Sequence, residues 1–141
     1  MKGVGKMRAV LCGSFDGIKA LSIGETVEPR PAADEILIDV HAASVSYMDY
    51  LMISGGYQMR PPLPYIPGTD AAGTVIACGD NVRQFRPGDR VACGNWFGGF
   101  AERVTAKEAD VVRLPDAVDF VAGSTILLVT LAYWGVYQLG I

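Results

Sequence analysis

Short apolar segments, separated by glycines and prolines, fill the first two-thirds of the chain. In the segment 35–46, EILIDVHAASVS, residues Ile36, Ile38 and Val40 alternate with Leu37, Asp39 and His41. A period of two residues is typical of a strand with one buried face. Many short strands with this punctuation favour a small barrel or a sandwich. The sequence therefore predicts a mainly β fold with short helices, with further strands at 7–12, 20–29, 72–79, 89–94 and within 99–115.

One helix is predicted inside this β region, over SYMDYLMISGG. Ser46 and Asp49 have the spacing of a capping box, in which the hydroxyl accepts from an early backbone N–H and the carboxylate reaches back. Gly55 and Gly56 then permit the left-handed turn that commonly ends a helix. A structural role as helix caps is therefore one interpretation of Ser46 and Asp49, beside any functional role.

The segment 120–141, FVAGSTILLVTLAYWGVYQLGI, contains no charged residue. An acidic start near Asp116 or Asp119 predicts a helix that begins there. Because this helix is apolar nearly all round, we expect it to be buried on several sides, against a second domain or another subunit. Its length formally matches a membrane span, but its glycines and the lack of a following basic residue favour a buried helix in a soluble protein. We divide the chain into 1–119 and this terminal helix, 120–141.

Charge and cysteine content exclude several classes of function. The net charge is −3, from 12 basic and 15 acidic residues, and the basic residues are scattered. This distribution gives no nucleic-acid footprint and no attraction to an anionic membrane. Cys12, Cys78 and Cys93 are odd in number and widely spaced, which argues against a disulfide framework. Since no signal peptide is evident either, we expect a cytoplasmic protein.

The segment LPYIPGTDAAG, 63–73, raises the question of a metal site, because Thr69 and Asp70 lie in a glycine-rich and proline-rich setting. Zinc requires three or four Cys, His, Asp or Glu ligands that converge on one point. The chain has a single histidine, His41, and no CxxC or HExxH motif. His41 alternates with apolar residues, so a strand surface or edge position explains it. The sequence predicts no metal site.

Four segments together resemble the N-terminal part of the medium-chain dehydrogenase/reductase superfamily. They are VHAASVSYMDYLMISGGY, LPYIPGTDAAGTVIACGDNVRQFRPGDRV, GGFAERV and LPDAVDFVAGSTILL, and the resemblance extends from about Met7 to Ile141. It implies a GroES-like β-barrel, which is the substrate-side catalytic domain of a two-domain enzyme. The final helix resembles the one that leads into the nucleotide-binding domain.

The chain looks like the zinc-free, quinone oxidoreductase or zeta-crystallin-like branch of that superfamily. Zinc-type members carry Cys at the position of Ser46 and His-Glu at the positions of Thr69 and Asp70, and they have a four-cysteine lobe that this chain lacks. Two residues also depart from the zinc-free branch. Ser46 replaces a common Asn, and Ile53 replaces an arginine.

The resemblance implies that NADPH transfers a hydride to a quinone or an enone, without zinc. Hydrogen-bond donors must then stabilise the negative charge on the substrate oxygen. We predict Tyr57 and Ser46 as catalytic residues, Tyr47 and Thr69 as substrate contacts, and Ser46 with Thr130 as cofactor contacts. Packing of the Tyr57 ring after the Gly-Gly turn is the alternative for that residue.

A nucleotide-binding domain of the doubly wound type is not evident, because no GxGxxG turn follows a strand in this chain. We therefore expect the 141 residues alone to bind NADPH weakly or not at all, and to have no turnover. In the full-length enzyme we expect a homo-oligomer, such as a dimer. The alternatives are a stand-alone GroES-like module that pairs its terminal helix with another copy, attachment to a membrane through 120–141, and a zinc-type alcohol dehydrogenase.

Overall fold

The computed structural model describes residues 5–139, and it is built from antiparallel strands with short helices. The mainly β prediction is confirmed. The strands are β1 (Lys6–Cys12), β2 (Leu21–Val27), β3 (Glu35–Ser44), β4 (Asp70–Cys78), β5 (Arg90–Gly94), β6 (Arg103–Lys107) and β7 (Val111–Arg113). The helices are α1 (Tyr47–Ile53), α2 (Phe120–Gly123) and α3 (Ile126–Leu139), and 3-10 turns span Gly17–Ala20 and Glu108–Asp110.

The strands form a five-stranded sheet, in the order β6-β3-β4-β5-β7, and a two-stranded sheet of β1 and β2. Isolated bridges, Ala9 with Ala101 and Cys12 with Tyr65, join the small sheet to loops of the large one. The result is a curled sheet with an apolar interior. Its largest cluster includes Ile36, Ile38, Val75 and Val91, which are almost completely buried.

Strand β3 is buried on both faces near its start, so the prediction of one buried face is wrong there. Ile36 and Ile38 are fully buried as expected, but Leu37 between them is buried too. The strand lies between β4 and β6, and its register with β4 shifts between Leu37 and Ile38 and again between Val40 and Ala42. Such irregularities bend a strand and change which side chains face the core.

Gly73 of β4 permits a close approach between two strands of the sheet. A Cβ atom at this position would collide with the carbonyl oxygen of Asp39 and would lie 3.0 Å from the Ile38 side chain. The backbones of β3 and β4 pack here with no space for a methyl group. Gly73 is thus a packing requirement of the strand that carries Asp70.

The predicted capping box at α1 is confirmed. Ser46 accepts a hydrogen bond from the backbone N–H of Asp49, and the Asp49 side chain accepts from the backbone N–H of Ser46. Gly55 has a φ of +69°, the left-handed conformation expected after the helix. Helix α1 therefore begins and ends where the sequence predicts.

The C-terminal segment forms two helices rather than one. Asp119 caps α2 through the N–H of Ala122, as predicted for a helix start, but Ser124 and Thr125 separate α2 from α3. No residue of α3 is buried, so the expected burial is absent from the described chain, and Gly140 and Ile141 lie outside the described residues. Within residues 5–139, none of the helices has the length and apolar character needed to cross a membrane.

Candidate active site

Asp49 connects α1 to the segment that precedes β4. Its Oδ2 atom accepts hydrogen bonds from the backbone N of Ser46 at 2.7 Å and from Ser46 Oγ at 2.8 Å. Its Oδ1 atom accepts from the backbone N of Thr69 at 3.1 Å, although the two residues are 20 positions apart in sequence. The Asp49 side chain is therefore more than a helix cap, because it fixes Ser46 and Thr69 relative to each other.

Thr69 and Asp70 form a second, adjacent hydrogen-bonded pair. Thr69 Oγ1 lies 2.8 Å from Asp70 Oδ2, and the two residues are only 3% and 6% exposed. Burial raises the pKa of the Asp70 carboxyl above its usual range. The hydrogen bond from Thr69 lowers this pKa and the nearby Asp49 carboxylate raises it, but burial is the dominant cause.

The Ser46 hydroxyl donates its proton to Asp49 within this network. An ionised carboxylate can only accept hydrogen bonds, so the contact of 2.8 Å to Asp49 requires Ser46 Oγ to donate. Because Ser46 Oγ also accepts from the backbone N of Asp49 at 3.4 Å, it presents one remaining lone pair rather than a proton to any bound molecule. The Thr69 hydroxyl donates to Asp70 in the same way when Asp70 is ionised.

The Thr69–Asp70 pair lines a cleft of about 750 Å³. This cleft lies between the start of β4, the loop that follows β5, and the first half of α3. Its surface is largely apolar, as is usual for a small-molecule site, although polar and charged side chains also contribute to the lining. Its lining includes Met48, Thr69, Asp70, Trp96, Phe97 and Thr130.

Aromatic side chains border the cleft on the loop side. Trp96 is 55% exposed, and its ring centroid lies 6.3 Å from that of Tyr57, which is half-buried. The structure thus places Tyr57 against a cleft-lining residue. Tyr47, by contrast, is 73% exposed and stacks on Tyr50 with a centroid distance of 6.1 Å, outside the cleft lining.

Thr130 lies on α3 and shares the cleft with Thr69. Its hydroxyl donates to the carbonyl oxygen of Ile126 at 2.7 Å, one helical turn earlier. Its proton is therefore used inside the helix, and a lone pair of Oγ1 remains as an acceptor. Of the predicted site residues, the structure brings Thr69 and Thr130 into one cleft and links Ser46 to it through Asp49.

Ser46 and Thr69, which the resemblance matches to zinc-ligand positions, lie in one hydrogen-bond network. Ser46 and Thr69 are joined through Asp49, and residues 5–139 contain no group of three Cys, His, Asp or Glu side chains that could hold a metal ion. Cys93 is buried, and burial raises the pKa of its thiol to about 12, so it is a protonated thiol at neutral pH. His41 is exposed, as predicted, and packs against Phe120 at a ring distance of 4.3 Å.

Sequence reasoning missed two features of this site. No local sequence pattern predicts the hydrogen bond between Asp49 and the backbone N–H of Thr69, because this contact depends on how α1 packs beside β4. Trp96 had a usable signal, since it lies in GNWFGGF, where adjacent aromatic residues sit between glycines near a strand end. Asn95 fixes this loop by donating from Nδ2 to the carbonyl oxygen of Thr105 at 2.9 Å.

Comparison with known proteins gives one consistent picture. A family model described as the alcohol dehydrogenase GroES-like domain matches residues 32–116. Human quinone oxidoreductase is 39% identical over 122 residues, which cover 85% of this chain and 37% of that protein. A murine quinone oxidoreductase-like protein 2 is 37% identical over 112 residues, which cover 79% of this chain and 31% of that protein.

Solved structures agree with this similarity. A probable oxidoreductase from Mycobacterium abscessus superposes with a TM-score of 0.84 at 32% identity, covering 89% of this chain and 40% of that one. A mycobacterial protein complexed with NADPH superposes with a TM-score of 0.79 at 30% identity, covering 86% of this chain and 38% of that one. The chain thus spans less than half the length of each of these relatives.

Proposed function

Because this chain belongs to the alcohol dehydrogenase GroES-like domain family and its relatives include quinone oxidoreductases, we propose that it is the substrate-side part of a zinc-independent oxidoreductase. The proposed reaction is the NADPH-dependent reduction of a quinone or an enone. The observation that carries this proposal is the cleft, in which an aromatic border and the buried Thr69–Asp70 pair meet. The quinone oxidoreductases among the relatives support this chemical class, and the cleft offers aromatic and polar groups that suit it.

When bound, the reduced nicotinamide supplies the hydride, and the protein orients the substrate for it. As a quinone or enone is reduced, negative charge develops on a carbonyl oxygen, and a positioned donor stabilises that charge. The hydrogen-bonded Thr69–Asp70 pair is among the polar groups that line the cleft. Trp96 and Phe97 line the cleft with aromatic surface that suits a flat, apolar substrate, and Tyr57 packs beside Trp96.

Thr130 lines the cleft and Ser46 is linked to it through Asp49, and both hydroxyls are candidate acceptors for one end of the cofactor. The nicotinamide carboxamide carries an NH₂ group that needs hydrogen-bond acceptors, and the hydroxyls of both residues have donated their own protons within the protein. Their remaining lone pairs are therefore available to that group. We propose that Ser46 and Thr130 hold the carboxamide in this way, which replaces a donor role for Ser46.

Independence from zinc is proposed on the same hydrogen bonds. The side chains at the zinc-ligand positions already satisfy one another, and hydroxyl groups are poor zinc ligands at neutral pH. We expect metal analysis of the purified protein to find much less than one zinc per chain, and chelation to leave the reductase rate unchanged. Stoichiometric zinc whose removal abolishes the rate would favour the zinc-type alcohol dehydrogenase instead.

The central experiment compares two proteins, the 141-residue chain and the complete gene product that contains it. NADPH oxidation is followed with a benzoquinone and a naphthoquinone as acceptors. We expect turnover from the complete product, and weak NADPH binding without turnover from the 141 residues alone. The variant Trp96→Ala should raise KM for the naphthoquinone, while Ile18→Ala, at an exposed apolar position outside the cleft lining, serves as a control. A complete product that oxidises NADPH with neither acceptor would refute the proposed reaction.

A second candidate function is assembly through α3, because its exposed apolar surface is large. Leu131, Tyr133, Trp134, Tyr137 and Leu139 are each more than half exposed. An exposed patch of this kind often marks an interaction site. We propose a homo-oligomer that forms in the reducing cytoplasm, where Cys12, Cys78 and Cys93 remain free thiols. Light scattering coupled to size exclusion would test it, since a stable dimer of the 141-residue chain supports self-association and a strict monomer contradicts it.

A further inference from the structure

Two buried carboxyl groups, those of Asp49 and Asp70, each form a hydrogen bond with Thr69. They differ in the number of hydrogen bonds that they accept. Asp49 accepts three hydrogen bonds, from the backbone N and Oγ of Ser46 and the backbone N of Thr69. The Asp70 side chain accepts one, from Thr69 Oγ1. Within residues 5–139, neither carboxylate forms an ion pair with a lysine, an arginine or a histidine.

We propose that Asp70 and Thr69 form a proton relay that delivers to the substrate oxygen the proton accompanying reduction. This inference rests on the proposed reductase function and adds a catalytic role for Asp70. Both residues line the cleft, and their side chains are in direct hydrogen-bond contact. The sequence predicts a substrate contact for Thr69 and no chemical role for Asp70.

The protonation state of Asp70 decides what Thr69 offers to a substrate. When Asp70 is ionised, the Thr69 hydroxyl donates to it and presents only lone pairs to the cleft. When Asp70 is protonated, the carboxylic acid can donate to Thr69 Oγ1 across the same contact. The Thr69 proton is then free to point into the cleft, toward an oxygen that gains negative charge.

The surroundings of Asp70 raise the pKa of its carboxyl above the usual range, chiefly through burial. Asp49 approaches from α1, and its negative charge opposes ionisation of Asp70. Cys93 of the neighbouring strand β5 is a neutral thiol that brings no compensating positive charge. The other titratable groups in the cleft lining are Glu35, Lys107 and Asp110. The structure records no hydrogen bond or ion pair between any of these three and Asp70.

Asp49 is the poorer candidate for holding this proton. Both of its oxygens already accept from backbone N–H groups, and Oδ2 accepts from the Ser46 hydroxyl as well. A proton on Oδ2 would face two existing donors, and one on Oδ1 would face the Thr69 N–H. Asp70 has an oxygen without such a donor, so it accommodates a proton without breaking a hydrogen bond.

The proposed step balances for a quinone substrate. The reduced nicotinamide gives one hydride and is oxidised, and the quinone accepts two electrons. The substrate oxygen takes the proton of Thr69 Oγ1 while Thr69 takes the proton of Asp70. Asp70 is left as a carboxylate, the product is the hydroquinone after proton redistribution, and water reprotonates Asp70 before the next turnover.

The first test measures the pH dependence and the solvent deuterium isotope effect of kcat for quinone reduction by the complete gene product. Thr69→Val and Asp70→Asn should each lower kcat by about 100-fold, because general acid catalysis contributes about 10² to 10⁴. Both variants should lose the basic limb of the pH profile. Thr69→Ser should retain most of the rate, since it keeps the hydroxyl, and Asp80→Asn at an exposed turn should match the wild type.

The second test measures whether the Asp70 carboxyl is protonated, in protein that is not turning over substrate. Difference infrared spectra of wild type against Asp70→Asn should show the carbonyl stretch of a protonated carboxyl, and Thr69→Val should shift it. Near-ultraviolet circular dichroism of each variant verifies folding, and a variant that fails to fold is replaced by Asp70→Ser or Thr69→Ala. A wild type that reduces no quinone refutes the proposed function, whereas an active wild type whose variants keep its pH profile and isotope effect refutes the relay alone. An absent carboxyl signal at the assay pH overturns the relay in either case.

Discussion

Replacing Asp49 with Asn tests whether one carboxylate holds α1 against the segment before β4. The substitution keeps the size of the side chain but leaves one acceptor oxygen instead of two. In one orientation of the amide, its NH₂ faces the backbone N–H of Ser46, and in the other it faces the backbone N–H of Thr69. Either way, one buried N–H loses its acceptor.

The size of the effect follows from these contacts. A hydrogen bond to a charged acceptor contributes about 1.5–3 kcal/mol, and a neutral one contributes about 1 kcal/mol. The Ser46 hydroxyl can rotate to accept from the amide, so its contact is weakened rather than lost. We therefore expect Asp49→Asn to lower the free energy of unfolding by about 2–4 kcal/mol, of the ~5–15 kcal/mol typical of a domain.

Urea denaturation followed by circular dichroism measures this change. With a slope of about 2 kcal/mol per molar urea, the midpoint should fall by about 1 to 2 M. Asp80→Asn removes an exposed carboxylate and should shift the free energy by less than about 0.5 kcal/mol. If Asp49→Asn unfolds at the same urea concentration as this control, the carboxylate does not hold the two segments together.

Three further predictions concern the sheet and its charges. Gly73→Ala should destabilise the fold by about 3 kcal/mol in thermal unfolding through overpacking, whereas Gly135→Ala, where no atom lies within 4 Å, should be neutral or stabilising by up to about 1 kcal/mol. The hydrogen bond from Arg113 lowers the pKa of Asp89, so this carboxylate stabilises the fold above its unfolded pKa of about 3.9, and the contribution is lost as pH falls further. Asp89→Asn should therefore flatten the acid limb of stability against pH, and an unchanged limb would contradict the role of that pair. Burial raises the pKa of Asp70, so its ionisation opposes folding as pH rises from the unfolded pKa toward the folded one. Asp70→Asn should accordingly increase stability at pH 7 relative to pH 4, and a loss confined to pH 7 would contradict this sign.

Much of the fold follows from local sequence. The strands from 7–12 to 99–115 and the box-capped helix were predictable, because alternation, capping spacing and glycine turns act within a few residues. Burial of Leu37 was not predictable in this way, since it depends on two partner strands and on register shifts with β4. The break at Ser124 and Thr125 has a similar origin, because each hydroxyl bonds a carbonyl of the preceding turn.

The candidate site was predictable only in part, since its geometry joins distant segments. Thr69 and Thr130 were identified through the resemblance, and both line the cleft. The direction of their hydroxyl protons was not predictable, because it depends on the acceptors that the fold places nearby, namely Asp70 and the carbonyl of Ile126. Ser46 is likewise an acceptor rather than a donor toward a bound molecule, because its hydroxyl proton is donated to Asp49.

Asp49 and Asp70 differ in the hydrogen bonds that the fold provides to each carboxylate. Both lie in the same region and both are nearly inaccessible to solvent. Asp49 is surrounded by three donors, so its charge is satisfied and its removal should weaken the fold. Asp70 is buried with one donor and a second carboxylate nearby, and burial above all raises its pKa, so its charge opposes folding and its removal should strengthen the fold. We expect the fold to be more stable without the Asp70 carboxyl. A structural role does not explain a destabilising buried group, whereas a catalytic role does, because such groups concentrate at functional sites.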